Sequence, residues 1–126
     1  MTKAPKTPKK PKKFNANSAT LKWLESLGFT AELVESRIPT TWITRDLFGC
    51  IDIIAMRCDP GGIYGIQATS GGGNKGQSNG LARRRKLLGN EKAKLFIQCG
   101  GKLWLVVWHP PTPHPFTTEL TLEDFK

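Results

Sequence analysis

Two apolar runs near the middle of the chain are joined by a turn former. The first contains Phe48-Gly49-Cys50-Ile51-Asp52-Ile53-Ile54-Ala55, the second Gly65-Ile66-Gln67-Ala68-Thr69, and Asp59-Pro60-Gly61-Gly62 lies between them. That pattern predicts an antiparallel hairpin over residues 46–69. Upstream, Leu21, Leu24 and Leu27 recur at threes beside Trp23, which predicts a helix over residues 15–27. Asn15, Asn17 or Ser18 can cap its start and Gly28 can end it. Residues 31–38 read as a strand closed by Pro39, and a polar connection over 40–45 carries Trp42. Downstream, Ser-Gly-Gly-Gly-Asn-Lys-Gly-Gln-Ser-Asn-Gly over 70–80 predicts a flexible loop. It lacks the Gly-Lys-Ser/Thr ending of a P-loop. A second helix is expected over 81–99, broken at Gly89-Asn90 and stopped by Gly100-Gly101. The most hydrophobic segment, 103–108, reads as a central strand. The remainder is proline-rich and then acidic, with a closing helical turn over 120–125. No internal repeat is present. The order helix, three strands, helix, strand predicts an α/β fold, a mixed β-sheet flanked by helices.

Composition narrows this picture. A chain of 126 residues with 38% hydrophobic content suits a single domain with a respectable core. The longest apolar run, 103–108, is far too short to cross a bilayer, so no membrane partner is expected. The basic start is not followed by an apolar segment, so a secretory signal is not expected and the default address is cytoplasmic. Cys50, Cys58 and Cys99 form no CxxC pair and leave one over in any pairing. Two or three of them read as small buried hydrophobes in a reducing compartment. His109 and His114 have no cysteine at zinc-like spacing.

The formal net charge is +9, and six of the lysines lie within residues 1–13 (Lys3, Lys6, Lys9, Lys10, Lys12 and Lys13). Residues 1–14 are therefore expected to be a disordered Lys/Pro-rich tail, and 15–126 a single domain. As a polycation the tail can exchange counterions with a phosphate backbone, although it can equally serve solubility.

Candidate chemistry centres on the hairpin. Asp52 lies within an apolar run, where a bare carboxylate is costly unless paired. Gln67 and Thr69 are two apart, so both leave the same face of a strand. One acid on one strand and two polar groups on its neighbour form the skeleton of a metal-dependent nuclease site. Hydrolysis of a phosphodiester usually needs a divalent ion to activate water and offset phosphoryl charge. Mg²⁺ prefers oxygen ligands and keeps several waters. Asp52 is the obvious ligand, and Gln67 and the Ala68 carbonyl can add neutral oxygens.

With these elements in this order, the chain resembles the PD-(D/E)XK nuclease superfamily. It is most similar to the archaeal-type Holliday junction resolvases and their small phage relatives, over roughly residues 15–108. The resemblance implies a restriction-endonuclease-like core (α-β-β-β-α-β), Mg²⁺ or Mn²⁺ as cofactor, and DNA, branched or duplex, as substrate. It also implies a homodimer. By the same likeness Asp52 takes the place of the motif's aspartate, Gln67 of its second acid and Thr69 of its lysine. The family's further acid on the first helix falls near Asn17. Of these four positions only Asp52 keeps its charge. Two repairs are open. Asp46 could lend a second carboxylate if the segment before the strand curls toward the site, or it could pair with Arg45 or cap a turn. Lys75, Arg83 or Lys86 could supply the missing cation. The basic run Arg83, Arg84, Arg85, Lys86 is a candidate for phosphate contact, or a solvated helix face. Trp42 is a candidate for base stacking, whereas Trp23, Trp104 and Trp108 read as core.

Three functions remain open on the sequence. One is a metal-dependent endonuclease, active on branched DNA. The second is a catalytically inactive nuclease fold that binds nucleic acid. The third is a basic accessory protein. The segment 103–108 and the apolar C-terminal residues leave room for a dimer interface.

Overall fold

A computed structural model of the chain describes residues 14–34, 36–37, 44–58, 61–71, 74–110 and 112–126, with only the backbone of 36–37, 44–45 and 74–77. The basic tail over 1–13, Trp42 and the Asp59-Pro60 turn lie outside the described residues, as does the side chain of Lys75.

The first helix, α1 (Ala16–Ser26), starts where Asn15 can accept the Ser18 N–H on its side chain at 3.0 Å. Gly28, at a φ of +87°, turns the chain out of it. Strand β1 (Thr30–Leu33) is shorter than the expected 31–38. The chain instead leaves the main sheet, and β2 (Ser36–Arg37) pairs antiparallel with β3 (Thr44–Arg45) in a separate ribbon. The central hairpin is formed by β4 (Ile53–Cys58) and β5 (Gly61–Ser70), with Ile53 opposite Ile66 and Ala55 opposite Tyr64.

Helix α2 (Asn74–Leu88) begins well inside the segment expected to be a flexible loop. Two contacts explain the difference. Asn79 Nδ2 donates to the Ser70 carbonyl at 2.8 Å, which closes the strand-to-helix connection. Gly80 faces β6 (Lys102–Trp108) so closely that a Cβ would stand 3.0 Å from Val107 Cγ2. This glycine permits close packing and does not mark flexibility. Helix α3 (Glu91–Gln98) follows the expected break, with Asn90 accepting the N–H groups of Lys92 and Ala93. Strand β7 (Phe116–Leu120) was not anticipated. Its residues are exposed except Leu120, so it lacks the apolar signature of a strand and reads as proline-flanked loop. A 3-10 helix over Leu122–Phe125 closes the chain.

The five-stranded sheet has the order β1-β4-β5-β6-β7. Only β5 and β6 run parallel, joined by the α2–α3 crossover; the other pairs are antiparallel. The molecule is thus an α/β structure with a mixed sheet between helices. Leu24 of α1 and Phe29 cover Ile53, Ala55, Tyr64, Ile66, Val106 and Trp108 on one face. Leu87 of α2 and Ala93 of α3 cover Ile51, Leu103, Leu105 and Val107 on the other. Trp108 is buried and donates its indole N–H to Thr20 Oγ1 at 2.8 Å, while Trp23 and Trp104 pack partly buried against the same core.

Two further expectations are corrected. Only Cys50 is buried, while Cys58 and Cys99 are exposed, and all three are free thiols. Cys58 is the last residue of β4 and Cys99 caps α3, so neither reaches the interior. Strand β6 is hydrogen-bonded on both edges and buried within its own chain, which removes it as a dimer surface. No helix among the described residues is long and apolar enough to cross a membrane.

Candidate functional site

Alternation along β5 sends Tyr64 and Ile66 into the core under α1, so Gln67 emerges on the α2 side. Asp52 does not sit within β4 but in a bend just before it. Its N–H still donates to the Ile66 carbonyl at 2.9 Å, which aligns it beside β5. Gln67 Nε2 donates to Asp52 Oδ2 at 2.6 Å, and the Ala68 N–H donates to the same oxygen at 3.2 Å. Asp52 is 5% and Gln67 1% exposed, so this is a buried polar pair. An ionised carboxylate only accepts, so the Gln67 amide must turn its nitrogen toward Asp52. Its oxygen then points away, and Gln67 Oε1 is buried with no hydrogen-bond partner among the described residues.

These residues line a polar cleft of about 290 Å³ together with Asn17, Asp46, Arg83 and Lys86. Four separate parts of the chain therefore converge there. Asn17 arrives on the first turn of α1. Arg83 and Lys86 are three apart on α2 and share one helix face. Asp46 is delivered by a tight turn in which Gly49 N–H donates to the Asp46 carbonyl at 3.0 Å and Cys50 N–H to the Leu47 carbonyl at 3.1 Å. Phe48 takes a φ of +57° and Gly49 +74° to make this turn. A non-glycine residue rarely adopts such a φ, and here the surroundings hold it. Asn90, the cap of α3, donates from Nδ2 to the Phe48 carbonyl at 3.1 Å and pins the turn. This segment thus curls toward Asp52, as the second-carboxylate repair requires. Asp46 is ion-paired with Lys86 at 3.5 Å.

The other sequence candidates are placed differently. Thr69 is 7% exposed and opens on a neighbouring groove, not on the Asp52 cleft. Arg84 leaves another side of α2 and pairs with Asp124 at 3.1 Å. Lys75 lies on α2, its side chain outside the described residues. Cys50 is buried in the core nearby, and burial pushes its thiol up to about 11 despite the opposing charge of Lys86. Asn90 was missed as a site-shaping residue. The Asn after Gly89 signals a helix cap, but nothing in the sequence tells that its amide also holds the Asp46 turn.

A cation could find oxygen ligands here. The carboxylates of Asp52 and Asp46 and the orphaned Gln67 Oε1 are hard donors in one cleft. Among the described residues there is no group of three or more His, Cys, Asp and Glu able to hold a metal. Two carboxylates and an amide oxygen are oxygen donors of the kind Mg²⁺ takes while keeping several waters. Comparison with protein-family models, curated proteins and solved structures finds no match for the chain.

Proposed function

We propose that the chain is a divalent-metal-dependent endonuclease with a restriction-endonuclease-like core, acting on DNA phosphodiesters, branched structures included. The observation that carries this reading is the convergence, in one cleft, of Asp52, Asp46 and the unpartnered Gln67 Oε1 with the cations Arg83 and Lys86. A phosphodiester brings a negative charge to a site that already holds carboxylates. Such a site needs a metal on the acidic side and protein cations on the other. Asp52, Asp46 and Gln67 would hold Mg²⁺ or Mn²⁺. When bound, the ion supplies a Lewis acid and lowers the pKa of a water. Arg83 holds the phosphate in line from α2. Lys86 orients Asp46 through their ion pair, and takes over charge compensation at the phosphoryl oxygens in place of the cation that Thr69 cannot provide. Asn17, neutral where the resembled family carries an acid, orients water. Symmetric cutting of a four-way junction would require a homodimer, because the two cuts need two sites related by a two-fold axis.

A second reading is favoured by one feature. Asp52 Oδ2 already accepts two hydrogen bonds, from Gln67 and Ala68, as a purely structural carboxylate would. On that reading the cleft binds nucleic acid without cutting it. Cleavage of labelled junction, duplex and single-stranded DNA, by wild type and Asp52→Ala with Mg²⁺, Mn²⁺ or EDTA, separates the two. Metal-dependent cutting by wild type alone supports the nuclease. Salt-sensitive binding that ignores EDTA and Asp52→Ala, without any cutting, supports the silent binder.

A further inference from the structure

The carboxyl end of β5 opens on a second depression, a groove of about 490 Å³ between the amino end of α1 and the middle of α2. It adjoins the Asp52 cleft, and Asn17, Ala68 and Arg83 wall both. Its chemistry differs from the cleft's. Among the described residues no acid lines it, whereas the cleft holds Asp46 and Asp52. The two carboxylates of the cleft oppose a phosphate, and the groove has no such opposition. Arg83 makes no ion pair among the described residues, in contrast to Lys86 with Asp46 and Arg84 with Asp124.

Thr69 adds an independent sign of a ligand. It is 7% exposed and lines the groove, and its hydroxyl makes no hydrogen bond among the described residues. The hydroxyl oxygen is not sealed in the interior, and the groove is where a partner can reach it. The amino end of α1 stands opposite, where helix N–H groups and the macrodipole favour an anion. At the rim Phe14 is 41% exposed and gives a base an apolar face.

We infer that the groove is a phosphate subsite for the nucleotide next to the one held at Asp52, so that Arg83 lies between two successive phosphates of one strand and Thr69 Oγ1 donates to the outer one. This rests on the nucleic-acid reading of the cleft and names what its neighbour does. Thr69 is a binding residue on this account and not a substitute for a catalytic lysine.

The test is the affinity of full-length protein for labelled duplex DNA in EDTA over a salt series, run beside Mg²⁺-dependent cleavage of the same duplex. Arg83→Gln should lower the slope of log affinity against log salt by about 0.9, the value for one phosphate that is no longer neutralised. Thr69→Val should weaken binding about fivefold at every salt with the slope unchanged, as removal of one hydrogen bond predicts. Thr69→Ser keeps the hydroxyl and should bind as wild type, which guards against a folding artefact. The subsite is overturned if Thr69→Val binds like wild type, even where wild type cuts DNA. Absence of cutting with these binding shifts intact removes the nuclease reading and leaves the subsite standing. Failure of wild type to bind DNA at all removes both.

Discussion

Asp52 and Gln67 share a buried hydrogen bond of 2.6 Å, and the polarity of that pair sets what each substitution should do. Gln67→Glu would place two carboxylates at that distance, and like charges so close cannot both ionise cheaply. The variant should lose about 1–3 kcal/mol of stability in EDTA, from repulsion and the missing donor. Mg²⁺ should restore much of it. Thermal melts with and without Mg²⁺ read this directly, and a melt indifferent to Mg²⁺ would argue against an ion at Asp52. Cys50 offers a second residue-scale test, with a definite sign. Its folded thiol is pushed up to about 11, from an ordinary value of 9.0, mainly by burial. Below pH 9 both folded and unfolded chains carry the thiol, so it has no effect. Between those values the unfolded chain ionises first, the folded state binds more protons, and stability falls as pH rises. Wild type should therefore lose on the order of 2 kcal/mol more than Cys50→Ala between those limits in urea titrations.

At the scale of elements, Asn90 serves two structures at once. It caps α3 by accepting the Lys92 and Ala93 N–H groups, and it holds the Phe48 carbonyl of the turn that presents Asp46. Asn90→Ala should cost about 1–2 kcal/mol through the missing cap. It should also lower metal-dependent cleavage more than Asn90→Asp, which keeps the capping acceptor but loses the donor to Phe48 only. Equal cleavage by the alanine variant and wild type would show that the turn holds itself. The closing 3-10 helix docks by a comparable device. Asp124 accepts the Thr121 N–H at 2.8 Å and the Arg84 guanidinium at 3.1 Å. The Thr121 N–H, then its hydroxyl and Arg84, hold the Asp124 carboxyl below its usual range. A depressed carboxyl contributes stability above its ordinary pKa of 3.8 and loses it as pH falls through the folded value. Its partly exposed setting makes that contribution small.

For the whole molecule, charge is unevenly divided. Residues 1–13 hold six lysines of a net +9. Deleting them should reduce the salt slope of DNA binding by as much as about five, at about 0.9 for each phosphate left without its lysine. The slope difference between wild type and Arg83→Gln should change little. Salt titrations of the two forms check this. A deletion that also abolished the Arg83 effect would mean that the tail alone positions the DNA.

Local signals determined a good part of this protein. Leucines at threes between Asn15 and Gly28 specify α1, and Gly89-Asn90 specifies the break between α2 and α3, because capping and backbone freedom act within a turn. The alternation of Ile66, Gln67 and Ala68 determines that Gln67 faces away from the α1 core, since side chains alternate along any strand. Tertiary structure decided the rest. The glycines before Leu81 suggested a loop, yet contact of Gly80 with Val107 stabilises a helix there. The exposed β7 became a strand because β6 offered it an edge, which a polar sequence cannot announce. Most of all, the cleft is made by residues up to 69 positions apart, from Asn17 to Lys86. Residue types with the right chemistry were visible in the chain, but which of them meet depends on packing. Packing turned Arg83 and Lys86 toward Asp52, Arg84 toward Asp124, and Thr69 into the groove next door.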